Sequence, residues 1–315
     1  MTKKSFLSMF NNKRILVTGG TGSIGSEIIR QLSLYNPKHI RIYSRDDSKQ
    51  YALQQELERL GRRKDNIRYL IGDVRDKERL DLATQDIDII FHTAALKHVQ
   101  FAEFNPFETI KTNIHGTQNV INVAIKHNVE KVIAISTDKA VYPDTIMGIS
   151  KLMMERMIVS SYNYMGSART KFAVVRFGNV IGSRGSVIPT WLEQIKNGGP
   201  VTVTDKNMIR YFMSIPDAVN LIFSATRITK SREIFVLKNM KTHRIYDLAK
   251  QIIHENAHGL KMKIKITGIR EREKMYEKLY TDEEKATMLE TKNFYIILPT
   301  HDLLLQRKSH YLKLD

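Results

Sequence analysis

The sequence predicts an α/β fold: a doubly wound parallel sheet with a smaller, partly interleaved C-terminal substrate-binding region. Two observations predict it. Short β-branched runs alternate with stretches of helical apolar spacing through the first half of the chain, as in a parallel sheet covered on both faces. The first of these runs opens directly into a glycine-rich turn and then a helix, the arrangement of a dinucleotide-binding unit.

Residues 14–17 form the first expected strand. Residues 23–34 follow with Ile24, Ile28, Ile29 and Leu32 at helical spacing and stop before Pro37, because the residue before a proline resists helix. Residues 39–43 read as a second strand, and 48–60 as a helix closed by Gly61. The strand signal returns at 67–71, 87–92, 131–136 and 172–177, with long helices over 107–127 and 146–164. After Gly182 the pattern loosens. Helices are expected over 183–199, 216–227 and 246–255, and short strands over 201–204, 234–237 and 261–266. This divides the chain into a dinucleotide-binding domain (1–182, with returning segments near 213–242) and a substrate-binding region (183–212 and 243–315). Ligands on such folds sit beyond the carboxyl ends of the strands.

Composition removes several function classes. The 315 residues include no cysteine, which excludes disulfides, thiolate metal sites and a cysteine nucleophile and fits a reducing, cytoplasmic setting. The N-terminus, MTKKSFLSMFNNKR, has no apolar run long enough for a signal peptide, and no stretch reaches the ~20 apolar residues of a membrane helix. The net charge of +17 is spread over scattered residues without a dense block or aromatic interleaving. That is a lysine-rich solvated surface, with part of the excess serving anionic ligands, rather than a nucleic-acid footprint. His92, His98 and His115 lack metal-ligand partners at useful spacing, so no metal is expected.

Residues 18–25 read TGGTGSIG. Gly19, Gly22 and Gly25 have the spacing of short-chain dehydrogenases, and this glycine loop makes the domain Rossmann-like. Such a loop, with Thr21, Ser23 and Ile24 between its glycines, brings a pyrophosphate against backbone N–H groups at a helix N-terminus. An NAD site usually has an acid at the end of the second strand. Here the strand ends in Ser44 and Arg45, with Lys49 one turn into the next helix, and a hydroxyl beside cations suits the 2′-phosphate of NADP. Asp73, beside Val74, is placed to meet the adenine amine, and Ala94-Ala95 leave room for the adenosine ribose. Lys97, Asn113 and Lys151 complete the expected cofactor set.

Ser136-Thr137-Asp138-Lys139 follows the fifth strand, at the nicotinamide end, and Lys151 lies twelve residues on in a helix. Short-chain dehydrogenases carry a tyrosine four residues before this lysine. Met147 stands there instead, and a thioether cannot exchange a proton. With that set, the segment STDKAVYPDTIMGISK (136–151) resembles the signature of UDP-N-acetylglucosamine 4,6-dehydratases of surface-polysaccharide pathways, whose C5-inverting members include a capsule branch with the same methionine. SRDDSKQ (44–50), AALKHV (94–99), RFGNVIGSRGSVIP (176–189) and VTVTDKNMIRYFMSIPDAV (201–219) agree, and the resemblance runs from about residue 13 to 299. Glu271-Arg272 departs from the family's usual Pro-Gly or His-Gly.

The resemblance implies NADP as cofactor and UDP-N-acetylglucosamine as substrate. It implies dehydration with C5 inversion to UDP-2-acetamido-2,6-dideoxy-β-L-arabino-hex-4-ulose, a step toward a deoxy amino sugar. Lys139 would be the C5 base and Asp138 the C6 acid, with pKa values moved toward neutrality: Asp138 upward by burial, Lys139 downward by burial or by a cation such as Lys151. Thr137 would bond the C4 hydroxyl. Asp138, Lys139, a Thr137 relay and Tyr142 are the candidates for taking the C4 proton. Arg210 and Arg270 match phosphate-binding arginines and Glu273 a ribose-binding carboxylate. Lys97, Asn179, Val187 and Thr202 complete the substrate set, and Arg184 is either a phosphate contact or a plain surface arginine. The helices over 107–127 and 146–164 are the ones related enzymes pair between subunits, so a homo-oligomer is expected. The alternatives are a C5-retaining dehydratase, a UDP-sugar 4-epimerase, which would need the missing tyrosine, and a non-catalytic NADP-binding protein.

Overall fold

The structure, a computed structural model, describes residues 3–62, 65–238, 240–257, 259 and 262–313. The first apolar run becomes β1 (Arg14–Thr18), buried on both faces as a central parallel strand must be. Around it the chain builds α1 (Lys3–Phe10), α2 (Ser23–Leu32), β2 (His39–Ser44), α3 (Asp47–Arg59), β3 (Ile67–Ile71), α4 (Lys77–Thr84) and β4 (Ile89–His92). Next come α5 (Val99–Phe104), α6 (Pro106–Ile110), a π-helical turn (Lys111–His115), α7 (Gly116–Lys126), β5 (Lys131–Thr137), α8 (Ile146–Ser160) and β6 (Lys171–Phe177). The remainder forms β7 (Asn179–Val180), α9 (Val187–Lys196), β8 (Val201–Val203), β9 (Ile209–Met213), α10 (Ile215–Ile228), β10 (Ile234–Leu237) and β11 (Lys241–Arg244). It ends with α11 (Ile245–Asn256), β12 (Ile264–Ile266), α12 (Asp282–Lys285), β13 (Met288–Glu290), β14 (Phe294–Ile297) and α13 (His301–Leu312).

The large sheet has nine strands in the order β13-β14-β10-β6-β5-β4-β1-β2-β3. From β10 to β3 neighbouring strands are parallel. The expectation of a parallel sheet needs one correction: β14 pairs antiparallel with β10, and β13 antiparallel with β14. On the faces α2 packs with α10, and α7 with α4 and α8. The short helix α1, which no periodicity announced, adds Phe6 and Phe10 to the core, with ring centroids 5.6 and 4.7 Å from Phe223.

Several boundaries move. The helix expected over 107–127 is broken by the π-helical turn, and the one over 183–199 begins only at Val187, after a loop in which Gly185 has φ +69°. The strand expected over 261–266 is β12, with Lys261 outside the described residues. A second core gathers Trp191, Val201, Val203, Phe212, Ile245 and Leu248 where β8 pairs with β12 and β9 with β7 and β11. The assignment of all of 243–315 to a substrate-binding region is corrected. Leu289, Ile296, Leu304 and Tyr311 are buried in the large core, so β13, β14 and α13 extend the main sheet.

One buried charge ties α12 and the segment before it to the main sheet. Arg176 on β6 is fully buried and donates to Glu155 of α8 (Nε to Oε1 3.0 Å, Nη2 to Oε2 2.6 Å). It also donates to Glu284 of α12 (2.9 Å twice) and to the Leu279 carbonyl (2.9 Å). Burial opposes its charge, and the carboxylates of Glu155 and Glu284 outweigh it, raising its pKa above the ordinary value. Removing one member of such a cluster strands the others uncompensated. Arg176→Ala is therefore expected to lower the free energy of unfolding in urea by about 3–5 kcal/mol. A loss under about 1 kcal/mol would mean the two carboxylates find solvent or new partners.

Candidate active site

The glycine loop makes a cradle that side chains would fill. Gly19 has φ +66°, and a Cβ on it would stand 2.6 Å from the Ala94 nitrogen; one on Gly25 would stand 2.5 Å from the Gly19 carbonyl oxygen. Gly22 is the N-cap of α2 with no side-chain cap among the described residues, leaving amide donors at that helix end for an anion. From here a cleft of about 800 Å³ runs to the end of β5, large enough for a dinucleotide. Gly19, Thr21, Gly22, Ser23, Ile24, Gly25, Ser44, Arg45, Lys49, Asp73, Val74, Ala94, Ala95 and Lys97 line it toward one end. Thr137, Lys139, Met147, Lys151 and Asn179 line it toward the other.

Asn113 is not on that wall, which corrects its expected cofactor contact. The π-helical turn aims its amide at the loop after β4. Its Oδ1 accepts from the Leu96 N–H (2.8 Å), and its Nδ2 donates to the Leu96 carbonyl (3.0 Å) and Ser150 Oγ (2.9 Å). It shapes the wall from behind.

At the adenosine end, Ser44 Oγ accepts from Thr21 Oγ1 (3.2 Å) and Gln50 Nε2 (3.1 Å). Arg45 is exposed and stands 3.6 Å from Asp73. Asp73 also takes Arg75 at 2.7 Å; burial pushes its pKa up, but Arg75 and Arg45 outweigh that and hold it below the ordinary carboxylate range. Lys49 pairs with Asp46. Arg184 folds over the glycine loop: Nη2 donates to the Thr21 carbonyl, and its backbone N–H to Ser23 Oγ (3.0 Å).

At the other end, β5 stops at Thr137, whose hydroxyl accepts from the Lys139 backbone N–H and donates to Asp138 Oδ1 (2.9 Å). Lys139 Nζ donates to the same Oδ1 at 3.0 Å and to Asn179 Oδ1 at 3.4 Å. Asp138 is fully buried, and its Oδ2 has no hydrogen-bond partner among the described residues. The expected downward shift of Lys139 is reversed. Burial works to lower its pKa, but the charges of Asp138 and Glu277 outweigh burial and raise it. Lys151 does not supply the expected cation beside it. Its Nζ donates to the Ile135 carbonyl (2.7 Å), and burial brings its own pKa down to about 8. Met147 is buried at the start of α8. Tyr142 drops out as a proton acceptor. Its hydroxyl accepts from the Asp282 N–H (2.8 Å) and donates to Asp282 Oδ2 (3.1 Å), facing α12.

The residues expected to hold UDP gather on an irregular strap between β12 and α12. Arg210 of β9 donates to the carbonyls of Lys274 (2.7 Å) and Met275 (3.1 Å) and stands 3.7 Å from Glu273, which also accepts from the Arg270 N–H (3.2 Å). The turn at Glu271-Arg272 survives without its glycine. Arg272 has φ +60°, a left-handed conformation that costs an L-residue roughly 1–2 kcal/mol. Thr202 accepts at its hydroxyl from Gln194 Nε2 (2.8 Å) and donates its N–H to Gln194 Oε1 (2.9 Å). Val187 opens α9, next to Ser186 of the cleft wall. Glu277, 3.6 Å from Lys139, is a site residue that no pattern announced.

Residues 15–299 match the family model of polysaccharide biosynthesis proteins. The chain belongs to this family. It is 41% identical over 303 residues to a UDP-N-acetylglucosamine 4,6-dehydratase (inverting) of Campylobacter jejuni, covering 96% of this chain and 87% of that protein. It is 40% identical over 293 residues to a UDP-glucose 4-epimerase of Rickettsia canadensis, covering 92% and 84%. The solved structure of Pen from Bacillus thuringiensis is 43% identical with a TM-score of 0.88, covering 93% of this chain and 91% of that one. The family match spans both the glycine loop and the strap, so cleft and Arg210 cluster lie within one family unit. Among the described residues no helix is long and apolar enough to cross a membrane, and no group of three or more His, Asp or Glu is placed to hold a metal ion.

Proposed function

We propose that this family member is an NADP-dependent UDP-N-acetylglucosamine 4,6-dehydratase that inverts C5. The observation that carries the reading is the buried Asp138 carboxylate 3.0 Å from Lys139 Nζ at the end of the dinucleotide cleft, with Met147 where an epimerase needs a tyrosine. A bound nicotinamide dinucleotide supplies the hydride acceptor for C4 and the donor for C6, so dehydration leaves no net oxidation. The glycine loop and Arg184 hold its phosphates, and Lys151 its nicotinamide ribose. Arg210 and Arg270 take the UDP phosphates, since a guanidinium bonds phosphate in a bidentate fork, and Glu273 takes the uridine ribose. Thr137 Oγ1 orients the C4 hydroxyl, Asp138 takes its proton as the hydride leaves C4, Lys139 Nζ removes the C5 proton acidified by the C4 ketone, and Asp138 returns its proton to the departing C6 hydroxyl.

The epimerase reading finds support in the name of the Rickettsia relative, but it leaves Asp138 and Lys139 without a task and Met147 without the tyrosine's proton. Incubation with UDP-N-acetylglucosamine and NADP+ in D2O, followed by NMR of the product, is expected to give a 4-keto-6-deoxy sugar with inverted, deuterated C5. Retained C5 configuration would point to the other class of dehydratase, and a 4-epimer to an epimerase.

Lys139→Ala and Asp138→Asn are expected to lower turnover about 100- to 10,000-fold while leaving nucleotide-sugar binding nearly intact. Met147→Ala should lose less, because methionine carries no transferable proton. A larger loss at Met147 than at the pair would move the chemistry elsewhere.

NADP preference rests on Ser44 and the exposed Arg45. Arg45→Ala should weaken NADP binding more than NAD binding in titration calorimetry, and equal losses would remove the assignment.

A homo-oligomer is the proposed assembly. Phe101, Phe104 and Phe107 on α5 and α6 and Ile149 and Met153 on α8 are all exposed, an apolar surface that a symmetric partner would bury. Solution scattering should give at least twice the monomer mass, and a monomer at all working concentrations would refute it.

A further inference from the structure

Glu277 stands on the strap between β12 and α12 with its side chain 5% exposed, Oε1 3.6 Å from Lys139 Nζ. Its Oε2 is buried without a hydrogen-bond partner among the described residues, as is Asp138 Oδ2 on the other side of the ammonium. Two buried carboxylates around one ammonium leave a surplus negative charge in the cluster. The other charged groups facing the cluster are accounted for. Arg210 of β9 acts on Lys139 from a distance while bonding to the strap backbone. Lys151 of α8 turns to the Ile135 carbonyl.

This arrangement conflicts with a base at C5. Such a base must offer a free amine lone pair, and two ionised carboxylates hold Lys139 protonated. Moving the Nζ proton to Glu277 Oε1 removes the conflict. It leaves a neutral amine, a neutral acid at Glu277, and Asp138 free to take the C4 hydroxyl proton that it later gives to the C6 oxygen, with no proton exchanged with water at this step.

Resting on the dehydratase reading above, we propose that Glu277 is a positioning residue that takes the Nζ proton of Lys139 during turnover and so frees the amine to act at C5. The Nζ–H bond breaks as Oε1–H forms. Nζ then takes the C5 proton, and the C5–H electron pair moves toward the C4 carbonyl. Nζ then releases the C5 proton to solvent, which supplies the one that C5 regains, and Oε1 returns its own proton to Nζ, restoring the ion pair.

Glu277→Gln keeps the shape and removes the acceptor, and the pH profile of kcat on UDP-N-acetylglucosamine reads the difference. In the unaltered enzyme kcat should be nearly flat from about pH 6.5 to 8.5, because the transfer is internal. In Glu277→Gln the Lys139 proton must leave to water. There kcat should fall about 100-fold at neutrality and climb about tenfold per pH unit, with KM within about threefold. Glu277→Asp should restore a flat profile at reduced rate. An equal loss at every pH, the mark of a structural role, or a kcat within about threefold of the unaltered enzyme overturns the proposal. A second readout needs no substrate: ¹³C NMR titration of the Lys139 Cε, assigned by its loss in Lys139→Arg. Its midpoint should move down in Glu277→Gln, and an unmoved midpoint overturns the proposal. An enzyme that leaves the sugar unchanged would sink the dehydratase reading, and the titration would still decide whether Glu277 governs Lys139.

Discussion

Two buried arginines hold the segment on which the site depends. Residues 267–281 contain no helix or strand, yet they carry Arg270, Glu273 and Glu277. Arg210 holds the middle of this strap by the Lys274 and Met275 carbonyls, and Arg176 holds its end by the Leu279 carbonyl. Irregular backbone lacks ladder partners, so its buried carbonyls need donors from elsewhere, and a guanidinium supplies several in a fixed plane. Because Arg176 sits on β6 and binds Glu155 of α8, the strap is referenced to the strand and helix that frame the catalytic segment.

The same logic explains why the cleft has two unlike ends. At the glycine loop the recognition groups are backbone amides and a helix end, which need only tight turns and suit an anion of fixed shape. At the end of β5 they are ionisable side chains in a dry setting, where each charge is felt strongly by the next. Asp138 and Glu277 both act on the Lys139 ammonium there and hold it charged. Met147, buried at the start of α8, adds no ionisable group to that end of the cleft.

Much of this was legible in the residues alone. The alternation of strand and helix gave the parallel part of the sheet, because central parallel strands are apolar on both faces and read as unbroken runs. The glycine loop, Ser44-Arg45 and Asp138-Lys139 were legible because each is a short local pattern whose chemistry depends on neighbours in sequence. Less legible were α1, β13 and β14. They are short and carry polar residues, and each is stabilised by burial against distant parts of the chain rather than by its own periodicity. Asn113 was misplaced for a related reason: a pattern locates a residue along the chain but not the direction of its side chain.

The sequence by itself determined the fold class and the glycine loop and placed Asp138 beside Lys139 at the end of β5, because those follow from local spacing and residue chemistry. Only the tertiary structure decided how that pair is charged. Glu277 reaches Lys139 from a strap far along the chain, held by arginines on two strands, and no local pattern records such an approach. Electrostatic interaction depends on distance in space and on the exclusion of water, and both are set by how the whole chain packs.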